Sequence, residues 1–456
     1  MQRDAIDLST VNIFTLFRKY LVPTLLGMLS ISAVTAADGI FVGRGVGSDG
    51  IAAINICVPL LMLLVGAGLM IGAGCSVVAS IQLSRDNVKA ARLNVTQAMA
   101  FAGLLAAVIS LPVLLFPERA AFLLGSSEHL MPIVKDYMLW YVPSWIFQIW
   151  ISVSLFVIRL DGAPRMAMWC SVVTSAINVV LDYVFIFPLG WGVRGAAFAT
   201  SLSLVAGGTM ALAYLFFFAK NLRLIPLKFS MTSLKLSVRN IGYQCRIGSS
   251  ALLGEATMAI LMFVGNRVFM RYLGDDGVGA FGIACYYMPF VFMIGNAIAQ
   301  SAQPIISYNY GLGLNKRVRD TFKLALYTAA VFGIAVMAVF ITLPDMLVGL
   351  FICLDTPAAG IASEGFPYIS AGFVCFILNL AVIGYFQSVE RVVPATAFAL
   401  MRGLVFLVPS FVLLPKVMGV KGIWLAMPLS EMLTAVVILL YYAISSRKWF
   451  SCSNAA

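Results

Sequence analysis

The chain has 456 residues, of which 61% are hydrophobic and 11% charged, whereas soluble domains carry about 25% charged residues. With a mean hydropathy of +0.98, this composition excludes an ordinary soluble protein and predicts a polytopic membrane protein. The net charge of +11 does not indicate nucleic-acid binding, because the basic residues lie in short loops between apolar segments, where membrane orientation signals occur.

Twelve apolar segments are long enough to cross a bilayer, which takes about 20 residues. The fold expected is all-α, with two six-helix lobes related by a pseudo-two-fold axis along the membrane normal. We predict an amino-terminal lobe at 1–219, a basic cytoplasmic linker at 220–246 and a carboxyl-terminal lobe at 247–456. The predicted helices lie near 14–42, 51–83, 94–116, 133–158, 165–187, 193–219, 245–273, 278–308, 322–343, 364–388, 395–414 and 422–444.

The first predicted helix carries Pro23 near its start and Asp38 near its end. A carboxylate inside a membrane segment costs a few kcal/mol (about 2.5–3.5 on insertion scales), so Asp38 is a candidate functional residue by default. The structural alternative is that Asp38 reaches the membrane interface and pairs with Arg44.

An internal repeat relates the two halves of the chain. A shift of 227 residues aligns GSDG at 47–50 with GDDG at 274–277, and GVRG at 192–195 with GVKG at 419–422. Each half holds six helices, so both halves enter and leave on the same side of the membrane. Parallel repeats of this kind are typical of transporters whose substrate path lies between two lobes.

Most lysines and arginines, with Arg402 among them, are assigned to the amino terminus and the even-to-odd connections. This asymmetry predicts that both termini are cytoplasmic, in the inner membrane of a prokaryote. No cleavable signal peptide is expected. The linker at 220–246 is basic and carries spaced apolar residues, Leu234 and Val238 among them, so we expect it to lie at the membrane interface.

Polar residues in the fifth and sixth helices complement Asp38. Asn178 and Asp182 are four residues apart, which places both on one helix face. At 1.5 Å per residue, Asp38 and Asp182 each lie roughly 7 Å from the outer ends of their helices, and Thr200 lies roughly 10 Å inside its own. We therefore predict that these four side chains meet. Two carboxylates in a poorly hydrated pocket can bind a proton near neutral pH or hold a monovalent cation.

The second lobe offers Glu255 in the seventh helix and Asn379 in the tenth. Glu255 is a candidate for contact with a cation or a cationic substrate, and the alternative is an ion pair with Arg246 or Arg267. The eight cysteines are scattered and His129 is the only histidine, so we expect no metal site beyond a bound Na⁺ and no cofactor. No glycine-rich loop leads into a Lys-Ser/Thr phosphate cradle, which argues against a nucleotide-driven pump.

Three segments together resemble the multidrug and toxic compound extrusion (MATE) transporters, a family within a wider group of two-lobe exporters and flippases. They read DGIFVGRGVGSDGIAAINI at 38–56, INVVLDYVFIFPLGWGVRGAAFATSLS at 177–203 and AQPIISYNYGLGLNKRVR at 302–319. The resemblance covers essentially the whole chain and is closest to the DinF-like prokaryotic branch.

The resemblance implies an amino-lobe cation site made of Asp38, Asn178, Asp182 and Thr200. It also implies that Pro23 is the first-helix proline involved in bending on protonation. Glu255 matches the seventh-helix acid of the NorM-like branch, which pairs it with a tenth-helix aspartate. This chain has Asn379 instead, a departure that weakens the case for a complete sodium site in the second lobe.

The function implied is secondary-active export, in which H⁺ or Na⁺ enters in exchange for amphipathic, cationic organic compounds. The partners expected are small-molecule substrates and the lipid bilayer, with no nucleic acid, and the protein is expected to be a monomer without enzyme activity. A flippase of lipid-linked oligosaccharides is one alternative, although the spans offer few cationic residues for a pyrophosphate. A multipass membrane enzyme and a pore are the others.

Overall fold

The computed structural model describes residues 8–227 and 230–449. Its regular elements are helical: α1 Ile13–Gly45, α2 Ser48–Ser84, α3 Val88–Leu115, α4 Pro117–Leu123, α5 Met131–Tyr141, α6 Trp145–Leu160, α7 Pro164–Ile186, α8 Gly192–Ala213, α9 Met231–Gly311, α10 Asn315–Thr342, α11 Pro344–Gly349, α12 Pro357–Ser370, α13 Phe373–Ser388, α14 Val392–Leu400, α15 Leu407–Met418 and α16 Val420–Trp449. A 3₁₀ turn follows α5, and π-helical turns follow α8 and α14.

In the described part of the chain, ten helical segments are long and apolar enough to cross a membrane. The pair α12 and α13, bent by 47°, makes an eleventh. Helix α9 is 81 residues long and breaks at Gly274, where φ is 63° and ψ is −152°, so it accounts for two passes. The all-α polytopic fold predicted from the sequence is confirmed.

The internal repeat recurs in the backbone conformation. Positive φ is a region that glycine enters far more readily than other residues, and it occurs at positions related by the shift of 227. The paired values are Gly47 at 92° with Gly274 at 63°, Gly192 at 58° with Gly419 at 61°, and Asp86 at 57° with Gly313 at 76°. The repeated glycine blocks therefore end and restart helices at equivalent places in the two halves.

Several helices begin earlier than predicted, and two of them show why. Helix α3 begins at Val88 rather than near 94, because the side chain of Asn87 caps it by accepting a hydrogen bond from the amide of Ala90. Helix α9 begins at Met231 rather than near 245, so much of the predicted linker is helical. Apolar periodicity indicates the membrane-embedded part of a helix. It does not detect the polar turns that extend the helix beyond the membrane, so the predicted starts were too late.

The chain divides into two compact units. Unit 1 contains Val22–Leu252, and unit 2 contains Leu8–Leu21 together with the described residues from Leu253 onward. The boundary between the two units falls within α1, next to Pro23. It falls again within α9, where the first residue of unit 2 lies two residues before Glu255. The predicted linker thus belongs to unit 1, and the first turns of α1 belong to unit 2.

Each unit has its own packed interior. In unit 1, one apolar cluster joins residues of α2, α3, α6 and α8 and includes Trp145, which is fully buried. In unit 2, the rings of Phe269 and Phe281 stack with centroids 4.5 Å apart, and Trp424 packs edge-on against Phe269 at 4.7 Å. Close packing of this kind makes helix contacts sensitive to single added carbons.

Helices α2 and α9 approach each other at a glycine on each helix. A Cβ on Gly74 would overlap the carbonyl oxygen of Gln244, and a Cβ on Gly248 would overlap the carbonyl oxygen of Met70. Because both obstacles are backbone atoms, neither can move without shifting a helix. The contact therefore requires glycine on both sides.

We expect Gly74→Ala to destabilise the protein by about 3 kcal/mol, because the added methyl group must push α9 away from α2. The measurement is the melting temperature of the purified protein in detergent. Gly242→Ala is the matched control, since a Cβ there meets nothing within 4 Å and alanine favours the helix. Equal melting temperatures for Gly74→Ala and the wild type would contradict this packing account.

Candidate functional site

Helices α1 and α7 run side by side in a constant register within unit 1. Contacts between them flank the two aspartates: the hydroxyls of Ser30 and Ser175 lie 3.4 Å apart, and Val42 shares an apolar cluster with Ile186. The sequence offset is 145 residues at the first contact and 144 at the second, and 144 also separates Asp38 from Asp182. The register therefore sets the two carboxylates opposite each other, and they interact electrostatically.

Neither aspartate is neutralised by a hydrogen-bond donor or a cation of the described chain. Oδ1 of Asp38 and both carboxylate oxygens of Asp182 are buried and accept no hydrogen bond from the described residues. The ion pairs recorded among those residues do not include Asp38, so its predicted alternative partner Arg44 is not supported. Buried carboxylates left without partners are costly, and such groups are retained where they serve a ligand.

Two neutral polar side chains, Asn178 and Thr200, belong to the same group. Asn178 lies one helical turn before Asp182 and is 5% exposed. Its Nδ2 donates to Thr200 Oγ1 at 3.4 Å, and the Thr200 hydroxyl donates to the carbonyl of Ala196 at 2.9 Å. The four residues that the sequence analysis grouped are therefore brought together from α1, α7 and α8.

Two tyrosines of α5 lie near the same carboxylates. Tyr137 and Tyr141 are almost fully buried, with ring centroids 5.4 Å apart. Both lie within electrostatic reach of Asp38, and Tyr137 also within that of Asp182. Neither tyrosine was predicted from the sequence to belong to the site. Their spacing of four residues is the only sequence signal, and it is shared by many packing residues.

The chemistry of this group suits a proton or a small hard cation. Two carboxylates, an amide and a hydroxyl offer oxygen atoms, which are the ligands that alkali and alkaline-earth ions prefer. Oxygen-only ligands arranged around two negative charges do not suit an anion or a soft metal. A bound cation would reduce the repulsion between Asp38 and Asp182 directly.

In unit 2, Asn379 belongs to a buried polar cluster that the sequence analysis did not find. Its Nδ2 donates to Oε2 and to the backbone carbonyl of Glu431, at 2.8 and 2.9 Å. Arg402 donates to Oε1 of Glu431 from Nε at 3.0 Å and from Nη2 at 2.8 Å. Both charged side chains are nearly inaccessible. Glu431 thus has its own internal counter-ion, which the Asp38–Asp182 pair lacks.

The placement of Arg402 corrects its assignment to the cytoplasmic side. Arg402 lies in the π-helical turn Met401–Val405, inside the span Val392–Met418, with its guanidinium 4.3 Å from the ring centroid of Phe376. It balances the charge of a membrane carboxylate and does not serve as an orientation signal. The sequence predicted a helix near 395–414, yet the arginine inside that helix was counted among the cytoplasmic basic residues.

Glu255 is 9% exposed in α9, and its Oε1 is buried without a hydrogen-bond partner in the described chain. The ion pairs recorded in that part of the chain do not include Glu255, so neither alternative arginine is supported. The guanidinium of Arg267 instead lies 4.8 Å from the ring centroid of Phe263. Glu255 is therefore a second isolated carboxyl group, in unit 2.

An open cavity of about 600 Å³ lies where α8 begins. Aromatic side chains line it, Trp140, Trp191 and Phe198 among them, together with an ion pair in which Arg194 contacts Asp136 at 2.7 Å. The four grouped polar residues are not part of its lining. The cavity and the carboxylate pair are separate features of unit 1.

Solved structures share this fold across the chain. A multidrug resistance MATE family transporter of the MOP superfamily in an outward-facing conformation matches with a TM-score of 0.89 and 21% identity, covering 97% of this chain and 98% of that one. A MATE in the bent conformation matches with a TM-score of 0.85 at 21% identity, covering 97% of both chains.

Curated relatives cover the same length. The multidrug export protein MepA of Staphylococcus aureus (strain NCTC 8325 / PS 47) is 23% identical over 437 residues, 95% of each chain. A FAD transporter of Shewanella oneidensis is 25% identical over 434 residues, 91% of each chain.

The MatE family model matches this chain twice, at residues 23–184 and 251–412. The two matches are offset by 228 residues, close to the internal repeat, and together they cover more than half of the chain. The first match contains the carboxyl groups of Asp38 and Asp182, and the second contains that of Glu255. The chain belongs to the MatE family, and it is a MATE transporter rather than an enzyme.

Proposed function

We propose that the protein is a secondary-active multidrug exporter that exchanges H⁺ or Na⁺ for amphipathic, cationic organic compounds. The observation that carries this proposal is the facing pair Asp38 and Asp182, with three buried carboxylate oxygens that accept no hydrogen bond from the described chain. A cation stabilises such a pair more than it stabilises a solvated carboxylate. Without the cation, the two carboxylates repel each other in a poorly hydrated site. MepA, whose name describes multidrug export, supports the substrate class.

Ion binding can drive transport only if the site binds the ion differently in the two facing states. Helix α1 is suited to this role for two reasons. It carries Asp38, and it belongs to unit 2 before Val22 and to unit 1 from there on, with Pro23 next to that boundary. The ring of Pro23 removes the amide that would otherwise bond to the carbonyl of Lys19, which weakens the helix at that turn. Neutralising Asp38 would thus alter the packing of α1 along α7 and bend α1 at Pro23.

The coupling ion is identified by transport in everted membrane vesicles under separately imposed gradients. We expect a fluorescent organic cation to accumulate when one gradient, of protons or of sodium, is imposed from the vesicle interior. The matching ionophore should abolish accumulation, because the site then has no ion gradient to follow. Vesicles without the protein are the control. Entry of the dye that ignores both gradients and stops without accumulation would contradict antiport and favour a pore.

The FAD transporter among the relatives makes flavin export a second candidate. It requires cationic groups that can receive phosphates, and in unit 2 the guanidinium of Arg402 is already bonded to Glu431. The same observation weighs against a pyrophosphate-binding flippase. Adding FAD to the vesicle assay as a competitor tests this candidate, because FAD that uses the same transport path would lower accumulation of the organic cation.

A further inference from the structure

The first turns of α9 turn polar side chains inward, toward α3 of the same unit. Gln97 Nε2 donates to Ser237 Oγ at 2.8 Å, and Asn240 Nδ2 donates to Gln97 Oε1 at 3.2 Å. Gln244 Nε2 donates to Asn94 Oδ1 at 3.0 Å. Hydrogen bonds between polar side chains therefore hold this segment of α9 against α3.

Its apolar side chains point outward instead. Met231 is 72% exposed, Leu234 60% and Val238 65%. The basic residues Lys235 and Arg239 alternate with them and are exposed as well. A soluble helix has the opposite arrangement, with apolar residues against the protein and polar residues in water, so this outer face is suited to lipid.

The contacts with α3 determine how deep in the membrane this segment of α9 lies. Asn94 and Gln97 lie six and nine residues after Val88, the first residue of α3, which is roughly 9–14 Å along its axis. Helix α3 has 28 residues, so its length of about 42 Å matches a bilayer with its headgroup regions. A segment held at Asn94 and Gln97 lies near the boundary between headgroups and hydrocarbon.

The charge of the segment selects among lipids. Residues 231–246 contain three lysines and arginines and no aspartate or glutamate, and residues 220–230 before them add three more basic residues and no acidic one. Basic residues near a membrane surface attract anionic headgroups by about 1 kcal/mol each, and apolar neighbours at the boundary add to the binding. The outer face of the segment complements an anionic membrane surface in both charge and hydrophobicity.

We propose that the outer face of 231–246 is an anchor that binds anionic phospholipids in the leaflet it meets. Lys235, Arg239 and Arg246 hold the phosphate headgroups, while Leu234 and Val238 enter the upper hydrocarbon. The anchor binds lipid through its outer face and unit 1 through its inner face, so anionic lipid holds α9 in register with α3.

The test uses the full chain in proteoliposomes, with spin-labelled phosphatidylglycerol and spin-labelled phosphatidylcholine as probes. The neutralised variant is K235Q/R239Q/R246Q, and K235R/R239K/R246K keeps the charge. The matched control, K89Q/K316Q/K323Q, removes three exposed lysines outside the segment. Electron paramagnetic resonance measures the fraction of each lipid that the protein immobilises, and the melting temperature verifies that each variant is folded.

We expect the wild type, the charge-keeping variant and the control to immobilise phosphatidylglycerol in preference to phosphatidylcholine. The neutralised variant should lose this preference by about fivefold or more, and high salt should weaken it in the wild type. Equal immobilisation of the two lipids by the wild type would overturn the proposal. So would a control variant that loses as much preference as the neutralised one.

Discussion

Asp182→Asn is expected to reduce ion-driven export to the level of vesicles without the protein. Asparagine keeps the shape of the side chain but removes the negative charge that faces Asp38, so an entering cation no longer distinguishes the two facing states. A ligand without differential affinity shifts no equilibrium, however tightly it binds. Asp38→Asn should have the same effect, because either change leaves only one carboxylate. The measurement is accumulation of a fluorescent organic cation in everted vesicles, at equal protein content.

Glu118→Gln is the matched control for these variants. Glu118 also lies in unit 1, but it is exposed and pairs with Lys135 at 2.6 Å. The hydrogen bond from Lys135 and the charge of its ammonium group lower the pKa of Glu118, so Glu118→Gln also removes a negative charge at neutral pH. Export should persist in this variant. Wild-type accumulation by Asp182→Asn would refute the coupling role of the pair.

Arg402→Leu is expected to lower the melting temperature by on the order of 10 °C, because it leaves the carboxylate of Glu431 buried without a counter-ion. Removing one partner of a buried ion pair costs about 3–5 kcal/mol. Asn379 would still donate one hydrogen bond to the carboxylate of Glu431, which is insufficient to balance a full charge in a membrane interior. The measurement is the melting temperature in detergent, followed by size-exclusion chromatography of heated samples.

The double variant Arg402→Leu with Glu431→Leu tests whether the charge imbalance is the cause. Replacing a buried pair by apolar residues is often neutral or stabilising, so the double variant should recover most of the lost stability. Failure of the second substitution to restore stability would show that Arg402 acts through its packing on Phe376. Export by a stable double variant would indicate that the pair serves structure rather than transport.

The sequence predicted much of the architecture because membrane insertion acts on one segment at a time. An apolar stretch must satisfy its backbone internally, so length and hydropathy determine where helices cross, almost independently of their neighbours. The internal repeat could be recognised in the sequence for a related reason. Positions such as Gly47 and Gly274 need positive φ, which few residues other than glycine adopt readily, so the same letters mark the same backbone breaks.

The site was only partly predictable. The grouping of Asn178 with Asp182 follows from helical periodicity, and matched depths joined them to Asp38. By contrast, the register of α1 against α7 depends on contacts such as Ser30 with Ser175, which no periodicity within one helix reveals. Tyr137 was missed for the same reason, since its approach to the carboxylates comes from helix packing.

By itself, the sequence determined the class of protein, the number and order of its membrane passes, and some of the charged residues within them, Asp38, Asp182 and Glu255. The tertiary structure decided which of those charges are balanced. Arg402 and Glu431 are 29 residues apart in sequence and neutralise each other, whereas Asp38 and Asp182 face each other with no basic residue bonded to either in the described chain. A hydropathy scale assigns a similar insertion cost to each charged side chain, because it considers only the segment that carries the side chain and not the neighbouring helices. Whether a counter-ion within the protein or a bound ligand neutralises the charge depends on which helix faces pack together.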